Sequence, residues 1–346
     1  MSTYLLFTGD VYFKEKSLSW DFTNIGVFDY EYVINLECVL CDSKCKPITD
    51  KINLKSSMEL NNFSKKPLAA NLANNHIMDF TDGGFRQTED QLKKNNIPYF
   101  GVGKENNNFH NPLIVEFDNK KIALLGYSAV ESFLCSEKTI SDVSKANPQK
   151  IESDIIRCKN MDIDFVIVSI HWGREERPFF SKQQQELGHF IIDAGADMVI
   201  GHHPHCIQPV ELYKEKYIFY SLGNFAFDDI AADSYYNELG KSEFVMHKRH
   251  LNYGKCSIVP VISFSDKIVL DRIIRTKYHK GIVKAIKTVD YRKVVPKVYQ
   301  NRLVNEIVGY FRMLRLFVRS NVFVDNRLVN TNAIKKEFEF LKVKRG

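Results

Sequence analysis

Residues 200–205 read Ile-Gly-His-His-Pro-His and directly follow the apolar run Ala196–Ile200. In an extended backbone, positions i and i+2 point the same way, so His203 and His205 are expected to aim two ring nitrogens into one site, with Pro204 stiffening the link. Neutral imidazole is the commonest metal-ligating side chain. Solvated loop histidines are the plainer alternative, but four further segments place ligand-type residues at the ends of apolar runs. They are Phe7-Thr8-Gly9-Asp10, Ile34-Asn35-Leu36-Glu37, Asn71-Leu72-Ala73-Asn74-Asn75-His76 and Val168-Ser169-Ile170-His171-Trp172-Gly173. Carboxylate oxygen, amide oxygen and imidazole nitrogen without thiolate suit Mn2+, Fe2+ or Zn2+ better than Ca2+ or a structural zinc. Six such ligands exceed one tetrahedral ion and fit two ions sharing a carboxylate, a pair about 3.5–4 Å apart that activates water for in-line attack on a phosphoryl or similar centre.

Such segments need a scaffold whose strand ends share one edge. Apolar runs at Tyr4–Thr8, Val33–Leu36, Leu68–Leu72, Leu113–Phe117, Ile122–Tyr127, Asp164–Ile170, Asp197–Ile200 and Tyr217–Leu222 read as strands. Helical patterns fall at Asp82–Asn95, Pro148–Lys159 and Ser181–Ala194, with Asp82 and Ser181 as caps and Gly195 ending the third. Strands separated by helices predict an α/β layered fold, in which ligands gather at the carboxyl ends of the strands. Lys255–Phe264 and Lys267–Arg275 read as a strand pair added to the sheet edge, and residues 276–346 as helical. The expected domains are therefore 1–275 and a basic helical extension, 276–346.

The composition, 44% hydrophobic and 26% charged, is that of a globular protein with a substantial core. The apolar start Tyr4–Phe7 is short for a signal peptide and has no basic lead, so a cytoplasmic protein is expected. The seven cysteines fit that compartment, and the spacing of Cys38, Cys41 and Cys45 does not make a zinc ribbon. Residues 271–346 hold 19 Lys+Arg against 6 Asp+Glu and the remainder 29 against 36, so an acidic body carries a basic tail. Within the tail, 307–323 sets Arg312, Arg315 and Arg319 on one helical face. The alternatives are a helix docked on the core and a peripheral contact with an anionic membrane. The tail lacks the basic–aromatic interleaving of a nucleic-acid platform, so a nucleic-acid partner is not expected.

Taken in order, Gly-Asp, Asn-Leu-Glu, Asn-Asn-His, His-Trp-Gly, Gly-His-His-Pro-His and Ser-Leu-Gly-Asn-Phe resemble the CapA family of capsule-synthesis proteins over about residues 4–228. That family is associated with poly-gamma-glutamate capsule production and is related to calcineurin-like metallophosphoesterases. The resemblance implies a four-layer α/β/β/α sandwich holding two divalent metal ions, an anionic polymer or phosphoester substrate, and capsule-synthesis proteins as partners. It also implies site roles. Asp10 would bind the first metal and Glu37 would bridge. Asn75, His171 and His203 would bind the second, and His205 would return to the first. His76 matches the catalytic histidine, and one residue from a ligand it is also placed to act as general acid. Tyr12 stands where the superfamily's Asp-x-His motif has its histidine.

Several neighbours carry two readings. His202 is the alternative ligand to His203. Asn224 is either a turn residue or an amide near the site. Trp172 reads as a buried wedge, with stacking on substrate as the alternative. The run Arg174-Glu175-Glu176-Arg177 reads as solvated, with Arg174 the alternative contact for an anionic substrate. His189 and His247 read as structural or solvent-facing.

Overall fold

Alternation of apolar residues along the strands decides which side of each sheet meets which layer. The computed structural model describes residues 3–14, 17–42, 44–48, 52–56, 60, 63–104, 111–129, 141–236, 242–250 and 252–294. The main strands are β1 (Tyr4–Tyr12), β2 (Tyr30–Leu36), β3 (Ala69–Asn71), β4 (Lys120–Ser128), β5 (Phe165–His171), β6 (Met198–His202), β7 (Lys216–Phe219), β8 (Asn224–Phe227), β9 (Ile230–Tyr236), β10 (Ser242–Lys248), β11 (Cys256–Phe264), β12 (Ile268–His279) and β13 (Ile282–Val289). The helices are α1 (Thr81–Lys94), α2 (Pro148–Lys159) and α3 (Lys182–Asp193).

The first sheet runs β13-β12-β11-β1-β2-β3 between short edge strands, with β8 also paired to β1. The second runs β7-β6-β5-β4, again between two short strands. Leu5, Phe7 and Val33 of the first sheet and Leu124, Ile167, Ile200 and Phe219 of the second form one apolar layer between them. Leu6, Tyr32 and Ile34 face the other way, into a layer with Phe85 and Leu92 of α1. Val166, Val168 and Val199 face outward from the second sheet, onto Ile151 and Ile155 of α2 and Ile191 of α3. The layers are α/β/β/α, as the family resemblance implies.

The expected helix Pro148–Lys159 is found with those bounds, its N-cap Asn147 accepting from Lys150 N. Ser181 caps α3 in a reciprocal box with Gln184. Phe80, not Asp82, is the N-cap of α1, and Asp82 lies in the first turn. The strand pair β11–β12 is not a peripheral addition: β11 lies directly against β1 in the middle of the sheet. The helical reading that began at 276 is corrected over its first residues. β12 continues to His279, and β13 pairs with it through a turn whose Gly281 has φ 77°. Tyr278 and Val283 put their side chains into the core, a period-2 pattern that the many lysines here obscure. The rest of the expected extension, with the 307–323 segment, lies outside the described residues. Among the described residues no helix is long and apolar enough to cross a membrane.

Candidate metal centre

Parallel pairing in register brings the polar strand ends together. Asp10 stands opposite Asn35 on β2 and Asn224 on β8, and Asn35 stands opposite Asn71 on β3. All four are buried. Asn71 Nδ2 donates to Asn35 Oδ1 at 3.0 Å, and Asn35 Nδ2 donates to Asp10 Oδ1 at 2.9 Å. This amide relay orients the carboxylate. In the second sheet His171 pairs with His202 at the matching edge.

Two backbone irregularities aim the ligand atoms. Leu5 and Phe7 face the second sheet, so strict alternation would send Asp10 outward with Leu6. The register slips between Phe7 and Asp10, Val11 takes the outward position, and Asp10 turns in. The second irregularity corrects the expectation of an extended Gly-His-His-Pro-His segment. β6 ends at His202, which is the inward-facing residue by alternation. His203 and His205 follow in bends with φ 94° and 53°. That left-handed backbone, not strand periodicity, brings the ring of His203 within 5.9 Å of that of His205. Because the strain belongs to the backbone, His203→Gly is expected to leave the metal-free protein about 1 kcal/mol more stable than His203→Ala, measured by denaturant melts. Equal stability of the two variants would contradict this.

Six expected residues meet. His171 Nε2 lies 2.7 Å from Asn75 Oδ1, 3.1 Å from His203 Nδ1 and 3.5 Å from Glu37 Oε1. His205 Nε2 lies 3.6 Å from Glu37 Oε1, and its Nδ1 lies 3.3 Å from Asp10 Oδ2. Asp10, Glu37, His171, His203 and His205 are buried and Asn75 is half-buried. Two sets of three have ligand atoms all within 4.8 Å of one another: Glu37, His203 and His205, and Asp10, Glu37 and His171. Glu37 belongs to both. Neither oxygen of Glu37 has a hydrogen-bond partner among the described residues. Ring nitrogens and carboxylate oxygens thus crowd one pocket. The donor set fits divalent cations, since two nitrogens each about 2.1 Å from one ion stand about 3 Å apart.

Electrostatics point the same way. Burial alone would raise Asp10, but hydrogen bonds from His202 and His205 outweigh it and hold the carboxyl well below its usual range. Burial, then the charge of Asp10, pushes Glu37 well above its usual value. Burial pushes His203 down to about 4 and, with His203 beside it, His171 well below the usual imidazole value. Burial opposes protonation of His205 too, yet the facing Glu37 and Asp10 carry it up to about 10. Buried anions here draw positive charge onto a ligand-type nitrogen.

His76, 8% exposed, sets Nδ1 2.7 Å from Asp79 Oδ2, so the carboxylate holds a proton on that nitrogen. His202 Nδ1 lies 3.1 Å from Asp10 Oδ1, and Asn224 Oδ1 lies 3.0 Å from His205 Nδ1. Both support ligand-type residues, so the reading of Asn224 as an amide near the site is the one found. Trp172 is a buried wedge, its Nε1 donating to Tyr220 O at 2.8 Å. Arg174 is exposed, and Glu175 pairs with Lys248 at 2.7 Å. His189 stacks on Tyr213 and His247 is exposed. Asn35, Asn71, Asp79 and His250 (described below) were not singled out by the sequence. For the first two, only their place at the ends of β2 and β3 signals a role.

A family model described as bacterial capsule synthesis protein PGA_cap matches residues 29–229. The capsule biosynthesis protein CapA of Bacillus anthracis is 34% identical over 163 residues, 46% of this chain and 39% of that protein. The PGA biosynthesis protein CapA of Bacillus subtilis is 36% identical over 160 residues, 46% of this chain and 42% of that one. A probable polyglutamine synthesis accessory protein of Mycobacterium tuberculosis is 29% identical over 170 residues, 46% of this chain and 45% of the other. The matched stretch thus spans less than half the length of each of these curated relatives. Among solved structures, a 5'-nucleotidase precursor from Thermus thermophilus aligns at 11% identity with a TM-score of 0.41, over 92% of this chain and 59% of that one.

Proposed function

The chain belongs to the bacterial capsule synthesis protein PGA_cap family, and from that footing we propose that its buried pocket is a dinuclear metal centre hydrolysing a phosphoester-type bond in the making of a capsule or another surface polymer. The observation that carries the reading is the meeting of six ligand-type side chains from five segments, with the carboxylate of Glu37 shared and unmatched. Asp10, Glu37 and His205 would hold one cation. Glu37, Asn75, His171 and His203 would hold the other. When bound, two divalent ions of the Mn, Fe or Zn class supply Lewis-acid charge and acidify water.

The chain's own residues supply the rest. The buried walls exclude bulk water and so strengthen every charge interaction inside. The Asn71–Asn35 relay and His202 hold Asp10 in one orientation. Asp79 keeps the Nδ1 proton of His76 and orients its ring, so that the ring is set to protonate a leaving oxygen. The expected substrate is a phosphoester or an anionic polymer, and capsule-synthesis proteins are the expected partners.

A second reading is a non-catalytic accessory subunit that binds polymer or synthase. Tyr12 favours it: a buried phenol, its ring 5.2 Å from that of Phe227, occupies the motif position at which the superfamily has a histidine. Elemental analysis and turnover of a generic phosphodiester separate the two. The hydrolase reading expects about two bound ions, activity abolished in His203→Ala, and kcat lowered about 10²–10⁴-fold in His76→Ala. Bound metal without turnover, or no metal, supports the accessory subunit.

A further inference from the structure

Beside the pocket stands a buried group that none of the roles above uses. His250 is 7% exposed, and neither ring nitrogen has a hydrogen-bond partner among the described residues. Buried polar side-chain atoms are nearly always matched, so an imidazole with two open nitrogens calls for a further partner. Its surroundings say where that partner lies. The His250 ring packs edge-on against Phe227 at 5.2 Å, and the same Phe227 packs against His205 at 4.8 Å. The centroids of His250 and His205 are 6.4 Å apart.

The segment that carries His250 is held from two sides. β9 and β10 form an antiparallel hairpin that starts just after β8. At its return, Lys248 Nζ lies 2.7 Å from Glu175 Oε2 and 3.7 Å from Glu176 Oε1, on the loop that follows His171. The backbone N–H of His250 donates to Asp229 Oδ1 at 2.8 Å. The ring is thus fixed beside the ligand cluster by contacts that use none of its own nitrogens. Packing against Phe227 asks only for a flat ring, which a phenyl would supply as well. The nitrogens must serve something else.

We infer that His250 is a substrate-contacting residue, whose ring hydrogen-bonds an oxygen of a phosphate-class oxyanion held at the metal pocket. The inference rests on the metal-centre reading and adds to it a wall built by the hairpin rather than by the strand ends. A neutral imidazole offers one N–H donor and one acceptor. The donor suits an unesterified phosphoryl oxygen and the acceptor a hydroxyl of the bound group.

The test uses the whole chain, Mn2+ and inorganic phosphate, with His250→Phe and His250→Gln as variants. Calorimetric titration is expected to give Mn2+ affinities within about twofold of wild type for both. Phosphate affinity of the Mn2+-loaded protein is expected to fall at least about tenfold in His250→Phe, one hydrogen bond to a charged oxygen, and to be partly restored in His250→Gln. The metal-free His250→Phe protein is expected to melt at or above the wild-type temperature, because it loses unmatched polar atoms. A lower melting temperature would assign the nitrogens to the fold. Normal Mn2+ uptake with unchanged phosphate affinity in His250→Phe would overturn the contact alone. Absence of Mn2+ uptake by the wild type would overturn the metal-centre reading and, with it, the contact.

Discussion

Glu37→Gln is expected to raise the melting temperature of the metal-free protein and to erase its response to Mn2+. Glu37 is fully buried, its two oxygens lack hydrogen-bond partners among the described residues, and the nearest ring nitrogens are His171 Nε2 at 3.5 Å and His205 Nε2 at 3.6 Å. Burial is the largest influence on Glu37 and opposes its charged form, whereas an amide of the same shape is neutral. Removing such a buried mismatch is worth about 1–3 kcal/mol. At about 1–2 °C per kcal/mol for a chain of this length, the rise is measurable by calorimetry. With Mn2+ at one hundred times its dissociation constant, the wild type is expected to gain about 2.7 kcal/mol by mass action. The variant, lacking the shared carboxylate, is expected to gain little. A less stable metal-free variant, or one that keeps the full Mn2+ shift, would contradict the assignment of Glu37 as the bridge.

Gly9→Ala is expected to have the largest effect on the fold itself. A Cβ at position 9 would lie 1.9 Å from Gly223 O, and that carbonyl accepts from Asp10 N at 2.9 Å. A backbone atom held in the ladder cannot step aside as a flexible side chain would. β8 has to leave β1, and Asn224 and Asp10 lose their alignment. Overpacking costs about 1–3 kcal/mol where a core yields, and more where backbone blocks it. Loss of soluble folded protein, or a melting temperature lowered by about 5 °C or more with the Mn2+ shift gone, is the expected result. The matched control is Gly83→Ala in the first turn of α1, where an added Cβ meets nothing within 4 Å. There the same change is expected to stabilise by up to about 1 kcal/mol. Comparable melting temperatures for the two variants would show that β8 does not close on β1 as described.

Much of the layering was legible because burial leaves a mark in residue type. β2, β4, β5 and β6 are two-sided strands, so nearly every residue is apolar, and the polar residues stand out where each strand ends. Helix α3 announced itself through Ser181 and Gly195. The stretch 276–289 was harder. Lys277 and Lys284, at cross-strand positions, face solvent, and only alternate residues are apolar, so strand and helix patterns were not distinguished. His250 carried no signal, since its place depends on how the β9–β10 hairpin packs and not on its sequence neighbours.

By itself, the order of residues determined which chemistry was available: carboxylate, amide and imidazole at the ends of apolar runs, a mixed oxygen and nitrogen set without thiolate. Those identities are local and survive any packing. Only the tertiary structure decided that Asp10 faces inward, through a one-residue slip of register, and that His203 joins the pocket, through a left-handed φ at the end of β6. The direction of a side chain is set by backbone torsions, and those torsions were chosen by which strands pair and which carbonyls must be matched. Sequence periodicity assumes a regular backbone, and the pocket was built where the backbone departs from it.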